Sequence, residues 1–145
     1  MGWKQWALIK IANKSHDETL KINFPHKEEM WGWTFKDTQD TKTRNPLSIG
    51  DIEKQAIGPN SSFSYGQTGK QSEWAGMSAT IELYAKNATG GLGDRICVIF
   101  YSCPWGASGN VFRISDVASQ WNVNQWGADY NGGALGSITV EVRKL

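Results

Sequence analysis

The chain has 145 residues, the usual size of one domain, and carries 15 basic against 14 acidic side chains for a net charge of +1. The two signs alternate, as in Lys27-Glu28-Glu29, which argues against nucleic acid, since that partner rewards a concentrated basic face. It argues equally against holding anionic lipid by charge alone, because each basic residue near such a surface contributes only about 1 kcal/mol.

The opening Met1-Gly2-Trp3-Lys4-Gln5-Trp6 lacks the basic-then-apolar order of a secretory signal, and Trp6 stands where a myristoylation motif wants Ser or Thr. The expectation is a chain that stays in the cytoplasm of its producer or leaves by a non-classical route. Trp6 to Ile11 is rich in β-branched and aromatic residues and reads as a central strand. Leu20-Lys21-Ile22-Asn23-Phe24 alternates apolar and polar residues, the pattern of a half-buried strand. Asp37 to Asn45 is polar and threonine-rich, and is expected to be a long mobile loop.

Gly58-Pro59-Asn60-Ser61-Ser62 is turn chemistry, and Met77 to Leu83 alternates again. Asn87 through Gly93 reads as a hairpin turn, because a phosphate-cradling glycine loop needs a helix after it and here a strand follows. That strand, Arg95 to Tyr101, is a second central one and contains the longest apolar run, Ile96 to Tyr101, far short of the roughly 20 residues that span a bilayer. The chain is expected to be soluble. Asn110 to Ser115, Trp121 to Trp126 and Ile138 to Val142 complete the strands, separated by turns at Ala107-Ser108-Gly109-Asn110 and Asn131-Gly132-Gly133. Roughly nine strands result, no helix emerges from the pattern, and an all-β sandwich or barrel follows. Residues 1–145 form a single expected domain, with neither internal repeat nor boundary.

Reactive side chains are few. His16 and His26 lie in polar stretches without a recognisable nucleophile or acid beside them, so no catalytic residue is assigned. Cys97 and Cys103 stand six apart, which places their Cα atoms about 20 Å apart in an extended run, beyond the roughly 7 Å that a disulfide spans. They are expected to be free thiols. Without a histidine nearby they do not make a zinc site, and neither metal nor cofactor is expected.

Eight tryptophans are the feature that needs a cause. Core packing accounts for about half of them. Several sit beside turn residues: Trp74 before Ala75-Gly76, Trp105 between Pro104 and Gly106, Trp126 before Gly127. Turns lie on the surface, so some of these indoles should be partly wet. Trp31 and Trp33 stand two apart and share a face if Gly32 is extended. Exposed indoles suit a lipid interface, since the ring is apolar while its N–H finds headgroup or water partners.

At Cys103-Pro104-Trp105-Gly106, then Phe112-Arg113-Ile114-Ser115, then Gly133-Ala134-Leu135-Gly136-Ser137-Ile138-Thr139-Val140, the chain resembles the aegerolysin family. Gln5-Trp6 before an apolar strand, and Trp31-Gly32, resemble the same family's N-terminal half. The resemblance implies an antiparallel β-sandwich that is not an enzyme and binds a membrane sphingolipid, with or without sterol. It also implies a larger partner with a membrane-attack-complex/perforin domain, the pair forming pores and in some bacterial members killing insects. The chain itself would be a monomer or weak dimer in solution and an oligomer on the target membrane. Carried over by position, Trp6, Trp31 and Trp105 would face the lipid, with Trp33 and Trp74 as additions to the family pattern. Ala75-Gly76 departs from the Glu-Gly by which fungal members help read the sphingolipid headgroup, and Glu73 is two residues displaced, so the resemblance does not carry sphingomyelin specificity to this chain; the added Trp33 and Trp74 and a pI near 7.7 point to a different lipid or host. A second reading, from another class, is a lectin-like protein stacking sugars on Gln5-Trp6 and Gln125-Trp126.

Overall fold

The computed structural model describes residues 5–36, 46–69, 76–104 and 109–145. Nine strands lie among them: β1 (Trp6–Asn13), β2 (Leu20–Asn23), β3 (Trp33–Phe35), β4 (Ser62–Thr68), β5 (Met77–Lys86), β6 (Leu92–Cys103), β7 (Val111–Ser115), β8 (Trp121–Trp126) and β9 (Gly136–Lys144). They form two sheets, one ordered β3-β4-β1-β9-β8 and one ordered β2-β5-β6-β7. The sandwich expected from the sequence is therefore present, and β1 and β6, read as central strands, are interior to their sheets. One pairing departs from the antiparallel expectation: β1 runs parallel to β9, Ala7 opposite Gly136 through Asn13 opposite Val142.

Period-two burial sorts the side chains. Ala7, Ile9 and Ile11 of β1, Tyr65 of β4 and Ile138, Val140 and Val142 of β9 face inward, and meet Met77, Ala79, Ile81 and Leu83 of β5 and Cys97, Ile99 and Tyr101 of β6. At roughly 1.5–3 kcal/mol for each large apolar side chain buried, this double layer supplies the driving force for the sandwich. The β5–β6 connection is the expected hairpin turn, in which Asn87 Oδ1 accepts from the backbone N–H of Thr89 and of Gly91, at 3.1 and 2.8 Å.

The expectation of no helix is corrected by α1 (Ile49–Lys54). Ser48 caps it, its Oγ accepting from the Asp51 backbone N–H at 3.0 Å, which satisfies one of the donors that a helix start leaves open. Six residues are too few to show a helical period. Ile52 nevertheless anchors the helix fully in the core, and Glu53 ties it to the end of β2, taking the Phe24 backbone N–H at 2.9 Å and the Lys27 ammonium at 2.6 Å.

Both cysteines are free and buried on β6. Burial pushes the Cys97 thiol up to about 12 and the Cys103 thiol up to about 11, from the ordinary 9.0. A raised thiol favours the fold while it is neutral, so this contribution is complete below the unfolded value and is lost as pH climbs through 11 to 12. At pH 8 the native chain should leave a chromogenic disulfide reagent unreacted over an hour and consume two equivalents once denatured; rapid native reaction would contradict the burial.

Candidate functional site

Trp6 opens β1, Thr68 closes β4 and Trp33 opens β3, and the ladder sets them in one row: Trp6 opposite Thr68 and Trp33 opposite the same Thr68. Residues directly opposite in a ladder share a face, so both indoles leave the outer side of the five-stranded sheet, about 10 Å apart across two strand spacings. The neighbours Ala7 and Gln67 point inward. The same end of the sandwich holds the start of β5, the end of β6 and the start of β9, the Cys103 thiol there donating to the Gly133 carbonyl at 2.7 Å.

Trp31 belongs to the other sheet. Its backbone exchanges hydrogen bonds with Ser78 of β5, at 3.1 and 3.0 Å. The chain thus crosses between sheets within three residues, and Gly32 makes the crossing at φ +97°. A Cβ there would stand 2.3 Å from the Thr68 carbonyl oxygen and 2.8 Å from the Met77 Cβ, so the position needs glycine for both space and dihedral. Gly32 is not extended, as the shared-face expectation for Trp31 and Trp33 required. The two indoles nonetheless border one hollow of about 390 Å³ with Glu28 and Met30, and are exposed by 58 and 55%.

A buried polar chain fixes the crossing from beneath. Gln67, fully buried on β4, donates its two amide hydrogens to the carbonyls of Trp31 and Ser78, at 2.7 and 3.1 Å. Its Oε1 accepts from the Tyr101 hydroxyl at 2.6 Å, and with that proton committed, Tyr65 donates to Tyr101 across 3.0 Å. Burial holds both phenols neutral, far above the ordinary tyrosine value. Gln67 thereby makes every hydrogen bond open to its nitrogen, and it joins the two sheets where the exposed indoles begin.

Beside this crossing lies a second hollow of about 490 Å³, lined by Met30, Trp33, Phe35, Leu47, Ile49 and Thr68 among others, with no charged side chain among the described residues. The outer end of the Phe35 ring packs over Gly66, whose missing Cβ would stand 2.1 Å from it.

Of the expected lipid-facing residues, Trp6, half-buried, joins Trp31 and Trp33 at this end. Trp74 and Trp105 lie outside the described residues, as do Glu73, Ala75 and the segment from Asp37 to Asn45. Trp121 is core, 7% exposed, with the Lys144 ammonium 5.9 Å above its ring. Trp126 is 52% exposed on the outward side of β8, as its turn-side position suggests. Its partner Thr139 aligns with Lys10, four residues along β1 from Trp6, so it stands roughly 13 Å further down the same face and two strand spacings across it. Gln67, Tyr101 and Thr68 belong to no motif that singles them out in the sequence. Their one signal is a polar amide two residues after Tyr65, in a strand that otherwise lacks an apolar stripe.

His26, Glu28 and Glu29 bring donor atoms within 4.8 Å of one another on a single exposed 3-10 turn. Among the described residues nothing buried or orphaned beside them points to an ion.

Comparison with known proteins is consistent with this architecture. A family model described as Aegerolysin matches residues 4–145. The chain is 26% identical over 145 residues to Ostreolysin A6 of Pleurotus ostreatus, covering 99% of this chain and 98% of that protein. It is 24% identical over 141 residues to Asp-hemolysin of Aspergillus fumigatus, covering 97 and 94%. In fold it is similar to the crystal structure of IP-1A from Alcaligenes faecalis, with a TM-score of 0.76 at 19% identity over 99% of this chain and 93% of that one. RahU protein, solved with a TRIS molecule, gives a TM-score of 0.80 at 14% identity over 99 and 97%.

Proposed function

This chain belongs to the aegerolysin family, and on that premise we propose that it is the membrane-targeting component of a two-part pore-forming toxin. Members of the family are hemolysins and lipid-binding toxin components, generally without enzymatic activity. In this reading the chain recognises a sphingolipid, with or without sterol, on a target cell, an insect cell in the case of some bacterial members. A larger partner with a membrane-attack-complex/perforin domain perforates.

The observation that carries the reading is the pair of exposed indoles at Trp31 and Trp33, held beside Trp6 by a buried polar chain. Large apolar side chains fixed at a surface have lost their freedom already, so they enter an interface at little further entropic cost. Division of labour is supported by the long hairpin of β5 and β6. Its inward side is the core itself, so releasing it to cross a bilayer would dismantle the sandwich. Among the described residues no helix is long and apolar enough to cross a membrane.

The sugar-stacking alternative needs a free amide beside each indole. Gln5 is buried, and Gln125 donates to the Tyr130 hydroxyl at 3.0 Å. Gln125 and Trp126 are also adjacent on β8 and so take opposite faces of the strand, which leaves that amide away from its indole.

The test is sedimentation with vesicles of ceramide phosphoethanolamine, of sphingomyelin with cholesterol, and of phosphatidylcholine alone, with entrapped dye. We expect co-sedimentation with a sphingolipid mixture, no dye release, and no competition by free sugars. Absence of binding to every mixture would sink lipid recognition and leave a protein or glycan receptor.

A further inference from the structure

The hollow of about 490 Å³ beside Trp33 has the size of a small-molecule site, for which roughly 300–1,000 Å³ is typical. Met30, Trp33, Phe35, Pro46, Leu47 and Ile49 supply an apolar wall. Its remaining lining includes three hydroxyls, and two of them are committed. Thr34 Oγ1 donates to the Leu47 carbonyl, and Ser48 Oγ caps α1. The third, Thr68 Oγ1, is buried without a hydrogen-bond partner on a residue only 2% exposed. An orphaned buried hydroxyl carries a desolvation cost that a native fold does not keep without reason. Among the described residues of this lining a charged headgroup finds no counter-charge, whereas hydrocarbon with one polar atom at its root suits the wall and gives the unpaired hydroxyl a partner.

We infer that this hollow takes one hydrocarbon chain of a membrane lipid, the Thr68 hydroxyl turning about χ1 out of its buried position to bond the carbonyl, amide or hydroxyl at the root of that chain. The inference rests on the membrane-lipid reading above and says which part of the lipid this chain holds. Trp33 borders both hollows, so a chain entering the slot passes the indole that lies at the interface. Indoles alone sense only the interface. A slot for a chain adds a requirement for its length and for the polar group at its root.

The test uses the whole protein with ceramide phosphoethanolamine vesicles and with sphingomyelin–cholesterol vesicles, each carrying a small share of the same sphingolipid with a photoactivatable diazirine in its acyl chain. After illumination, mass spectrometry should place the label on Met30, Leu47 or Ile49. Leu47→Trp, which fills the slot, should abolish that label. Thr68→Val should cut it about tenfold, the weight of one hydrogen bond, without lowering the unfolding temperature, because the lost hydroxyl has no partner among the described residues. Label confined to Trp31, Trp33 and the surface around them would overturn the slot, as would label that both variants leave unchanged. Label on the lining from a free diazirine fatty acid without vesicles, and none from vesicle lipid, would overturn it in favour of a soluble ligand. Sedimentation of the same samples separates the two readings. Protein that pellets with vesicles but carries no label in the lining loses the slot alone, and protein that never pellets loses both.

Discussion

Replacing Trp31 and Trp33 together by alanine should weaken vesicle binding by about a thousandfold and leave the unfolding temperature within a degree or two of the parent. A tryptophan buries about 150–250 Å², and at 25 cal/mol/Å² full burial contributes roughly 4–6 kcal/mol. Somewhat more than half of each ring is still open to solvent, at 58 and 55%, so transfer to lipid has about 2–3 kcal/mol left to gain per indole. Two such terms sum to about 5 kcal/mol, and ordering costs at the interface bring the expected loss to roughly three decades. Stability is spared because exposed side chains away from caps and cores seldom move it by more than about 0.5 kcal/mol. Each single variant should lose about thirtyfold. Trp126→Ala, comparably exposed but about 13 Å further along the sheet and four strand spacings across it from Trp33, should change binding less than twofold. Sedimentation against lipid concentration reads all four. Parental binding by the double variant would move the contact to another part of the surface.

Strands whose two faces meet different surroundings are legible from residues alone. β5 alternates from Met77 to Lys86 because one face is core and the other is not, and the turn at Asn87 ends it with its own side-chain hydrogen bonds. β4 is hidden for the opposite reason. Its outward Gly66 makes room for Phe35, and its inward Gln67 is a polar residue buried for the bonds it makes, so apolar alternation fails where the site is built. β3 is three residues long and exists through its pairing with β4, a contact that sequence does not show. The parallel pairing of β1 with β9 joins the two ends of the chain and has no local signature. The indoles are visible as composition and as neighbours of turns. What gathers Trp6, Trp31 and Trp33 at one end is strand register, legible only once the sheets are known.

Gly32→Ala should lower the unfolding temperature by about 10 °C and abolish vesicle binding at temperatures where the variant is still folded. An alanine held at φ +97° costs about 1–2 kcal/mol in dihedral strain alone. The added methyl would also lie 2.3 Å from the Thr68 carbonyl oxygen, a backbone atom that cannot rotate aside. Relief requires the crossing segment to lift from β4 and β5, which breaks the paired bonds between Trp31 and Ser78 and strands the Gln67 amide in the core. Each bond lost there is worth about 1 kcal/mol, and the orphaned amide adds a further 1–3 kcal/mol. The total is about 3 kcal/mol or more, near 10 °C for a domain of this size. Gly90→Ala separates strain from collision, since Gly90 has φ +91° but no atom within 4 Å of the place its added methyl would take. It should cost about 1 kcal/mol and bind vesicles normally. Circular dichroism melting and sedimentation on the two variants decide the matter. If Gly32→Ala behaves like Gly90→Ala, the crossing tolerates displacement and the rigid presentation of Trp31 and Trp33 is not what holds the membrane.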